Sequence, residues 1–250
     1  MATRPATTRA TTRSANVTRD AEPRQASGLT RLSRAQLHGY AQHYFKAGGA
    51  TEPEVALVAC GEAQAIFKDY ARTPGWFGRV IAPVLIWREA SALRQLAGID
   101  GVPRVLRQLD RRGLLIEYLP ATPWPKARPP DAAYARLQAL VAAMHARGVA
   151  HCDLRAPSNI LVDDQGQPYI VDFVARVRRG AAWNLPWNWL FRQFVAADDS
   201  ALVKLRVRFA PSLATAADRA RLAERGPLER VARAIGEFSR SIVRFFVRSS

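Results

Sequence analysis

Residues 151–173 read HCDLRAPSNILVDDQGQPYIVDF, and the rest of the chain is read outward from them. An acid, Asp153, and an amide, Asn159, stand six residues apart in a loop, and a second acid, Asp172, lies at a strand end beyond a hairpin. NILV and PYIVDF have the short apolar character of strands, with Asp163 to Gly166 as the turn between them. Ile160 to Val162, Ile170 and Val171 are apolar, so the polar groups would be mounted on buried structure. This set suits phosphoryl transfer. One carboxylate orients an acceptor hydroxyl and takes its proton, while the amide and the other carboxylate offer the hard oxygens that Mg²⁺ prefers.

Upstream, Asp131 is placed to cap a helix in which Tyr134, Leu137, Val141 and Met144 recur at helical spacing, with Gly148 ending it. RVLRQLDRRGLLIEYLP (104–120) predicts a hairpin turning at Arg111 to Gly113, followed by a Pro-rich hinge stretch up to Pro130. VALVACGEAQAIFKDYA (55–71) predicts two strands with a turn near Gly61, which puts Lys68 near the end of the second. PVLIWREASALRQLAG (83–98) predicts a helix carrying Glu89, with Pro83 in its first turn and Gly98 at its C-terminal end. A short helix is expected from Ser33, where Ser33 and Gln36 can form a capping box and Leu37, Tyr40 and Tyr44 share a face; Lys46 to Glu54 then reads as a Gly-containing turn. From Arg176 onward the pattern is mainly helical.

Together these features resemble the protein-kinase-like superfamily. His151, Asp153, Leu154 and Asn159 fit its catalytic loop, and Asp172 and Phe173 fit its metal motif. AIFK, ending at Lys68, resembles the strand lysine that grips the α- and β-phosphates, and Glu89 its helix partner. The resemblance covers about residues 55–175 and implies an α+β fold of two lobes, a small β-rich N-lobe (31–118) and a mainly helical C-lobe (119–250). It implies ATP and Mg²⁺ as cofactors, Asp153 and Asn159 as catalytic residues, Asn159 and Asp172 as metal ligands, and Lys68, Glu89 and Glu117 on the nucleotide, Glu117 standing just before the hinge. Among kinase-like families the chain is most similar to small bacterial RIO-like and lipopolysaccharide-kinase-like proteins. No APE motif follows Asp172, the activation segment is short, and Cys152 stands where an HRD arginine would anchor a phosphorylated loop. A thiol cannot pair a phosphate, so activation by loop phosphorylation is not expected. No GxGxxG precedes Lys68, leaving Gly48, Gly49 and Gly61 as partial substitutes, and Val174 replaces the glycine of the metal motif. His151 reads as a structural histidine, and Cys152 as a small residue packed beneath the loop.

Composition narrows the partners. There are 37 Lys plus Arg against 21 Asp plus Glu, a net charge of +16, which favours phosphate-bearing partners. No helix-turn-helix, zinc or RNA-recognition signature accompanies that charge, which places nucleic acid below the other candidates. Two cysteines, Cys60 and Cys152, supply neither a disulfide framework nor a zinc site, and the apolar run from Val80 to Trp87 is far shorter than the ~20 residues of a membrane span. A cytoplasmic location follows as the default. Residues 1–30 read as a disordered basic tail.

After the metal motif, Arg176, Arg178 and Arg179 could meet an anionic acceptor, and WNLPWNWLFRQF (183–194) could form an interfacial surface. Residues 176–250 hold 15 Lys or Arg against six Asp or Glu, and Leu228, Val231, Ile235, Phe238, Ile242 and Phe245 trace the apolar face of a basic amphipathic helix. These features raise a peripheral site on the inner, anionic face of a membrane. Three functions stay open: a kinase for a sugar, lipid-linked saccharide or other small hydroxyl acceptor; a RIO-like serine/threonine protein kinase; and a kinase-like pseudoenzyme that binds nucleotide and regulates a partner.

Overall fold

The computed structural model describes residues 28–223. The expected amphipathic helix over 228–245 and most of the basic tail lie outside them. The described chain divides into a β-rich N-terminal lobe and a mainly helical C-terminal lobe.

The N-lobe is built on one antiparallel sheet of order β1-β2-β3-β5-β4. Its strands are β1 (Ala41–Ala47), β2 (Glu54–Cys60), β3 (Ala63–Asp69), β4 (Val105–Gln108) and β5 (Gly113–Glu117). Alternation sends the two sides of the strands to different cores. Ala56, Val58, Phe67 and Leu115 meet Leu29 and Leu37 on one face, whereas Ile66, Leu114 and Ile116 face helix α2 (Ala82–Gln95). On that helix Ile86, Ala90 and Leu93 are buried. The helix α1 (Arg34–Gly39) opens with the expected capping box: the Gln36 amide donates to the Ser33 hydroxyl at 3.3 Å, and the Ser33 amide to Gln36 Oε1 at 2.8 Å.

Beyond α1 the sequence expectation needs correction. Tyr40 and Tyr44 do not continue a helical face; the helix stops at Gly39, and Ala41–Ala47 form β1 with both tyrosines exposed. The hairpin with β2, in which Tyr44 pairs with Ala56 and Ala47 with Glu54, outweighs the local spacing. Lys46 therefore sits in β1, and the Gly-containing turn shortens to 48–53.

The Pro-rich hinge is not a bare linker. It holds β6 (Thr122–Pro123) and α3 (Trp124–Ala127), and Trp124 is fully buried with its ring edge-on to Tyr134 at 5.0 Å. Asp131 is the first residue of α4 (Asp131–Ala146) rather than its cap, a position that Pro130 takes with extended backbone. Its carboxylate still lies in the first turn, where the helix dipole favours it. Gly148 leaves α4 with φ +76°, a conformation other residues adopt only at a cost.

After α4 come β7 (Val149–Ala150), then the hairpin of β8 (Ile160–Val162) and β9 (Pro168–Ile170), then β10 (Val177–Arg178), which returns to pair with β7. The long α5 (Leu185–Phe209) and α6 (Ala216–Ala223) close the lobe. No helix of the described residues is long and apolar enough to cross a membrane. One core cluster runs through both lobes, from Ile86 and Leu93 through Trp124 and Met144 to Phe173, so the lobes share an apolar hinge beside the cleft.

A π-helical turn, Phe77–Ile81, leads from β3 into α2. Here Gly78 is buried, and a Cβ on it would lie 2.1 Å from the Thr73 carbonyl oxygen. Glycine is needed for close approach.

Candidate active site

Four segments converge on the cleft between the lobes. Strand β3 supplies Lys68, α2 supplies Glu89, the loop after β7 supplies Asp153 and Asn159, and the residue after β9 and Val171 is Asp172. Lys68 Nζ lies 2.6 Å from Glu89 Oε1 and 3.6 Å from Asp172 Oδ1, so one ammonium links both lobes. Glu89 is 2% exposed. Burial works against the charged form of Lys68, but Glu89 and Asp172 outweigh it and raise the ammonium pKa. Burial also pushes the Glu89 carboxyl up, opposed by Lys68. Asp172 moves the other way: Lys68, with help from His151 and Lys46, holds it below the usual carboxylate range despite its burial.

The loop that carries Asp153 and Asn159 is fixed from beneath. The ring of fully buried His151 accepts from the Asp153 amide at Nδ1 (3.3 Å) and donates from Nε2 to the Val171 carbonyl (3.0 Å). Both nitrogens are thus committed to backbone, which fixes the orientation of the ring. Its edge meets Phe173 at 4.8 Å. Asn159 Nδ2 donates to the Asp153 carbonyl at 3.1 Å and to Asp153 Oδ2 at 3.0 Å, which turns Asn159 Oδ1 into the atom left for a cation. The six-residue spacing is absorbed by a single 3₁₀ turn, Pro157–Asn159. Burial raises the Asp153 carboxyl above its ordinary range, against His151 and the Asn159 hydrogen bond.

Two residues here adopt left-handed backbone without being glycine: Cys152 at φ +69° and Asp172 at φ +66°. Such conformations cost about 1–3 kcal/mol and persist where surroundings hold them. For Cys152 the holder is Asp198 of α5, 1% exposed, which accepts from the amides of His151 (2.7 Å) and Cys152 (2.9 Å) and pairs with His145 Nε2 at 3.0 Å. Reading the sequence passed over Asp198. A pair of acids, Asp198 and Asp199, inside an otherwise apolar helical stretch, QFVAADDSALV, was the available signal. The Cys152 thiol is pushed up by burial and by Asp198, which leaves it unreactive.

A second missed device joins α2 to the segment after Asp172. Arg88 Nε donates to the Val174 carbonyl at 2.8 Å, and its Nη2 donates to the Arg176 carbonyl. In return Arg176 Nε donates to the Arg88 carbonyl at 2.9 Å and Nη2 to the Ser91 hydroxyl. Arg176 is therefore buried, stacked beneath Trp87 at 5.8 Å, and not free for an acceptor; burial and the neighbouring Arg88 and Arg178 lower its pKa to about 10. Arg179 donates to the His145 carbonyl, and Arg178 is exposed.

The remaining sequence candidates fall as follows. Glu117 ends β5 at the hinge, and its carboxylate is held by Arg104 through Nη2 (3.0 Å), Nε (3.2 Å) and the main-chain amide (3.0 Å). Gly48 and Gly49 occupy the turn between β1 and β2, the edge of the sheet beside Lys68, whereas Gly61 lies in the opposite turn between β2 and β3. Arg155, exposed two residues beyond Asp153, adds a cation to the cleft. His38 lies 3.2 Å from Glu54 and 3.0 Å from Asp69, within the N-lobe and apart from Lys68, Asp153 and Asp172.

As a magnesium site the donor set fits: one carboxylate, Asp172, and one amide oxygen, Asn159, are the few hard ligands that Mg²⁺ takes alongside substrate phosphates. Among the described residues no cluster of three or more His, Cys, Asp or Glu could hold a metal alone.

No protein-family model matches the chain, and no curated protein matches it. Solved structures do. The Rio2 kinase of Chaetomium thermophilum, as an ADP/Mg²⁺-phosphoaspartate complex, is similar with a TM-score of 0.53 and 18% identity over 80% of this chain and 63% of that one. A second structure of the same kinase gives 0.52 and 18% over 80% and 64%. The chain thus spans under two thirds of the length of these kinases. The likeness shows that the chain has a two-lobed, protein-kinase-like α+β fold.

Proposed function

We propose that this chain is an ATP-dependent phosphotransferase that moves the γ-phosphate of ATP to a hydroxyl acceptor. The observation that carries the reading is Lys68 Nζ set between Glu89 at 2.6 Å and Asp172 at 3.6 Å, which couples a phosphate-gripping cation to a metal-binding acid across the cleft. The Rio2 structure with ADP and Mg²⁺ supports a nucleotide in this cleft. Adenine would lie at the end of β5. Since Arg104 occupies the Glu117 carboxylate, contacts there would come from backbone.

In the reaction, Lys68 holds the α- and β-phosphates and Glu89 keeps the ammonium aimed at them. Asn159 Oδ1 and Asp172 would hold Mg²⁺, which would supply positive charge to offset that of the phosphates. Asp153 accepts the acceptor's hydroxyl proton as its oxygen bonds to the γ-phosphorus and the bond to the β-phosphate oxygen breaks, releasing ADP. Gly48, with φ +80°, and Gly49 would let the turn after β1 approach phosphates closely.

For the acceptor we favour a sugar or lipid-linked saccharide at an anionic membrane surface. Trp183, Leu185, Trp187 and Trp189 are exposed just after the metal motif, Trp183 by 82%, among exposed Arg178, Arg179 and Arg192. Interfacial tryptophans flanked by cations suit such a surface. A protein hydroxyl is the second reading, favoured by the likeness to Rio2 kinase. Purified chain with Mg²⁺ and labelled ATP over a cell extract separates them by whether label enters saccharide, lipid or protein, and no ATP-derived label in any fraction would overturn the phosphotransferase. Flotation with anionic vesicles tests the surface: binding should weaken with salt and in Arg178→Glu/Arg192→Glu, and its absence ends the membrane reading.

A further inference from the structure

A concavity on the N-lobe lies outside the cleft. It is lined by Ala71, Arg72, Thr73 and Pro74, then by Gly75, Arg79 and Pro83 on the way into α2, and by Arg111 and Arg112 of the turn between β4 and β5. Four of these residues are arginines and none is acidic. Arg72, Arg79 and Arg111 are exposed and Arg112 is half-buried. Two acids stand at its rim, each shared with a residue outside the hollow. Glu54 holds His38 and stands 3.6 Å from Arg72, and Asp110 receives Arg34 through both oxygens and the Arg112 amide.

Four arginines lining one hollow, with Glu54 set against Arg72 alone, make it a place where an added anion is favoured. Guanidinium forks match the paired oxygens of a phosphate better than any other common anion donor set. The walls also come from rigid parts. Tyr70 N–H donates to the Arg112 carbonyl at 2.8 Å, tying the end of β3 to the β4–β5 turn, and the π-helical turn is wound tightly against Thr73. Turns of this kind often mark functional sites.

We infer that this hollow is a second anion site, which binds a phosphate-bearing ligand through Arg72, Arg79, Arg111 and Arg112. The ligand would bridge the end of the strand carrying Lys68 and the entry to the helix carrying Glu89, and so would stiffen the pair from outside the cleft. The inference goes beyond phosphotransfer and does not depend on it. The phosphate could belong to a free polyphosphate or to a lipid headgroup.

The test measures binding to the full chain at 0.15 M salt without Mg²⁺, with inorganic pyrophosphate in one arm and phosphatidic acid vesicles in the other. Wild type, Arg79→Glu/Arg111→Glu and Lys68→Met are compared, the last removing the cleft's own phosphate grip. Pyrophosphate binding that survives Lys68→Met but weakens at least tenfold in the double variant supports the site with a free ligand. Binding to vesicles alone with the same arginine dependence supports it with a lipid headgroup. The neutral pair Arg79→Gln/Arg111→Gln repeats the comparison if the glutamates disturb folding, which melting without ligand reports. Binding of neither probe to wild type, or binding that is lost in Lys68→Met and kept in the arginine variants, overturns the inference.

Discussion

Arg88 and Arg176 each hold the other's main-chain carbonyl, so the helix that carries Glu89 and the segment that follows Asp172 are fastened together by two side chains. In a kinase-like fold the lysine's carboxylate partner and the metal acid must both be in place, and this joint ties together the two segments that carry Glu89 and Asp172. Here the register is built in, and the guanidinium of Arg176 is buried in the joint.

Breaking that joint should cost rate more than folding. Arg88→Ala strands the carbonyls of Val174 and Arg176 and is expected to remove about 1–3 kcal/mol of stability, while kcat falls tenfold or more as Glu89 loses its aim. Arg88→Lys should restore part of the stability and little of the rate. A melting curve together with separate kcat and KM values for ATP checks this; equal turnover in Arg88→Ala and wild type would show the joint to be idle.

Asp153→Ala and Asp172→Ala should each abolish phosphoryl transfer, for different reasons. The first loses the proton acceptor and should retain nucleotide binding; the second loses a metal ligand and should bind nucleotide in a manner no longer sensitive to Mg²⁺. Calorimetry with ATP, with and without Mg²⁺, tells them apart.

Lys68→Met leaves Glu89 buried without its cation, a change expected to cost about 3–5 kcal/mol. Burial already raises the Glu89 pKa, and the loss of Lys68 raises it further. An acid whose pKa is raised by folding binds its proton more tightly in the native state, so the native form loses stability as pH rises above the unfolded value. The melting point of this variant should therefore drop further below wild type at pH 8 than at pH 5. A difference independent of pH would argue that Glu89 reaches solvent.

The acid limb of kcat/KM should report Asp153. Burial raises its carboxyl, so the base becomes protonated, and the rate falls, at a higher pH than an ordinary aspartate would give. A pH–rate profile flat down to the ordinary aspartate range would remove Asp153 as the base.

Asp198→Asn should act as a catalytic-loop mutation although it lies on α5. An amide cannot accept from His151 and Cys152 with both oxygens, and a rate loss on the order of a hundredfold is expected from a displaced Asp153. Cys152→Gly is the counterpart. It suits φ +69°, so activity should stay within a few-fold of wild type. A complete loss would mean that the thiol takes part in the chemistry.

Much of this site was legible because its chemistry forces local sequence. Asp153, Asn159 and Asp172 lie on one hairpin and its preceding loop, and Lys68 and Glu89 lie on elements whose patterns of alternation and helical spacing are clear. The joint of Arg88 and Arg176 and the support from Asp198 were not legible. They bridge 88 and 47 positions in sequence and end on main-chain atoms, which carry no residue identity. Strand β1 was hidden for another reason: AQHYFKA has aromatic residues at spacings that a helix also permits, and only its pairing with β2 settles the matter.

Gly78 makes the cleft depend on an absent methyl group. With the Thr73 oxygen 2.1 Å from where a Cβ would stand, even alanine must unwind the turn that launches α2, and Glu89 rides on that helix. A genetic screen for loss of activity would thus return position 78 alongside the reacting residues, though its occupant has no side chain to offer a substrate. A chemist mapping the protein by mutation alone would mistake a joint in the scaffold for a member of the active centre.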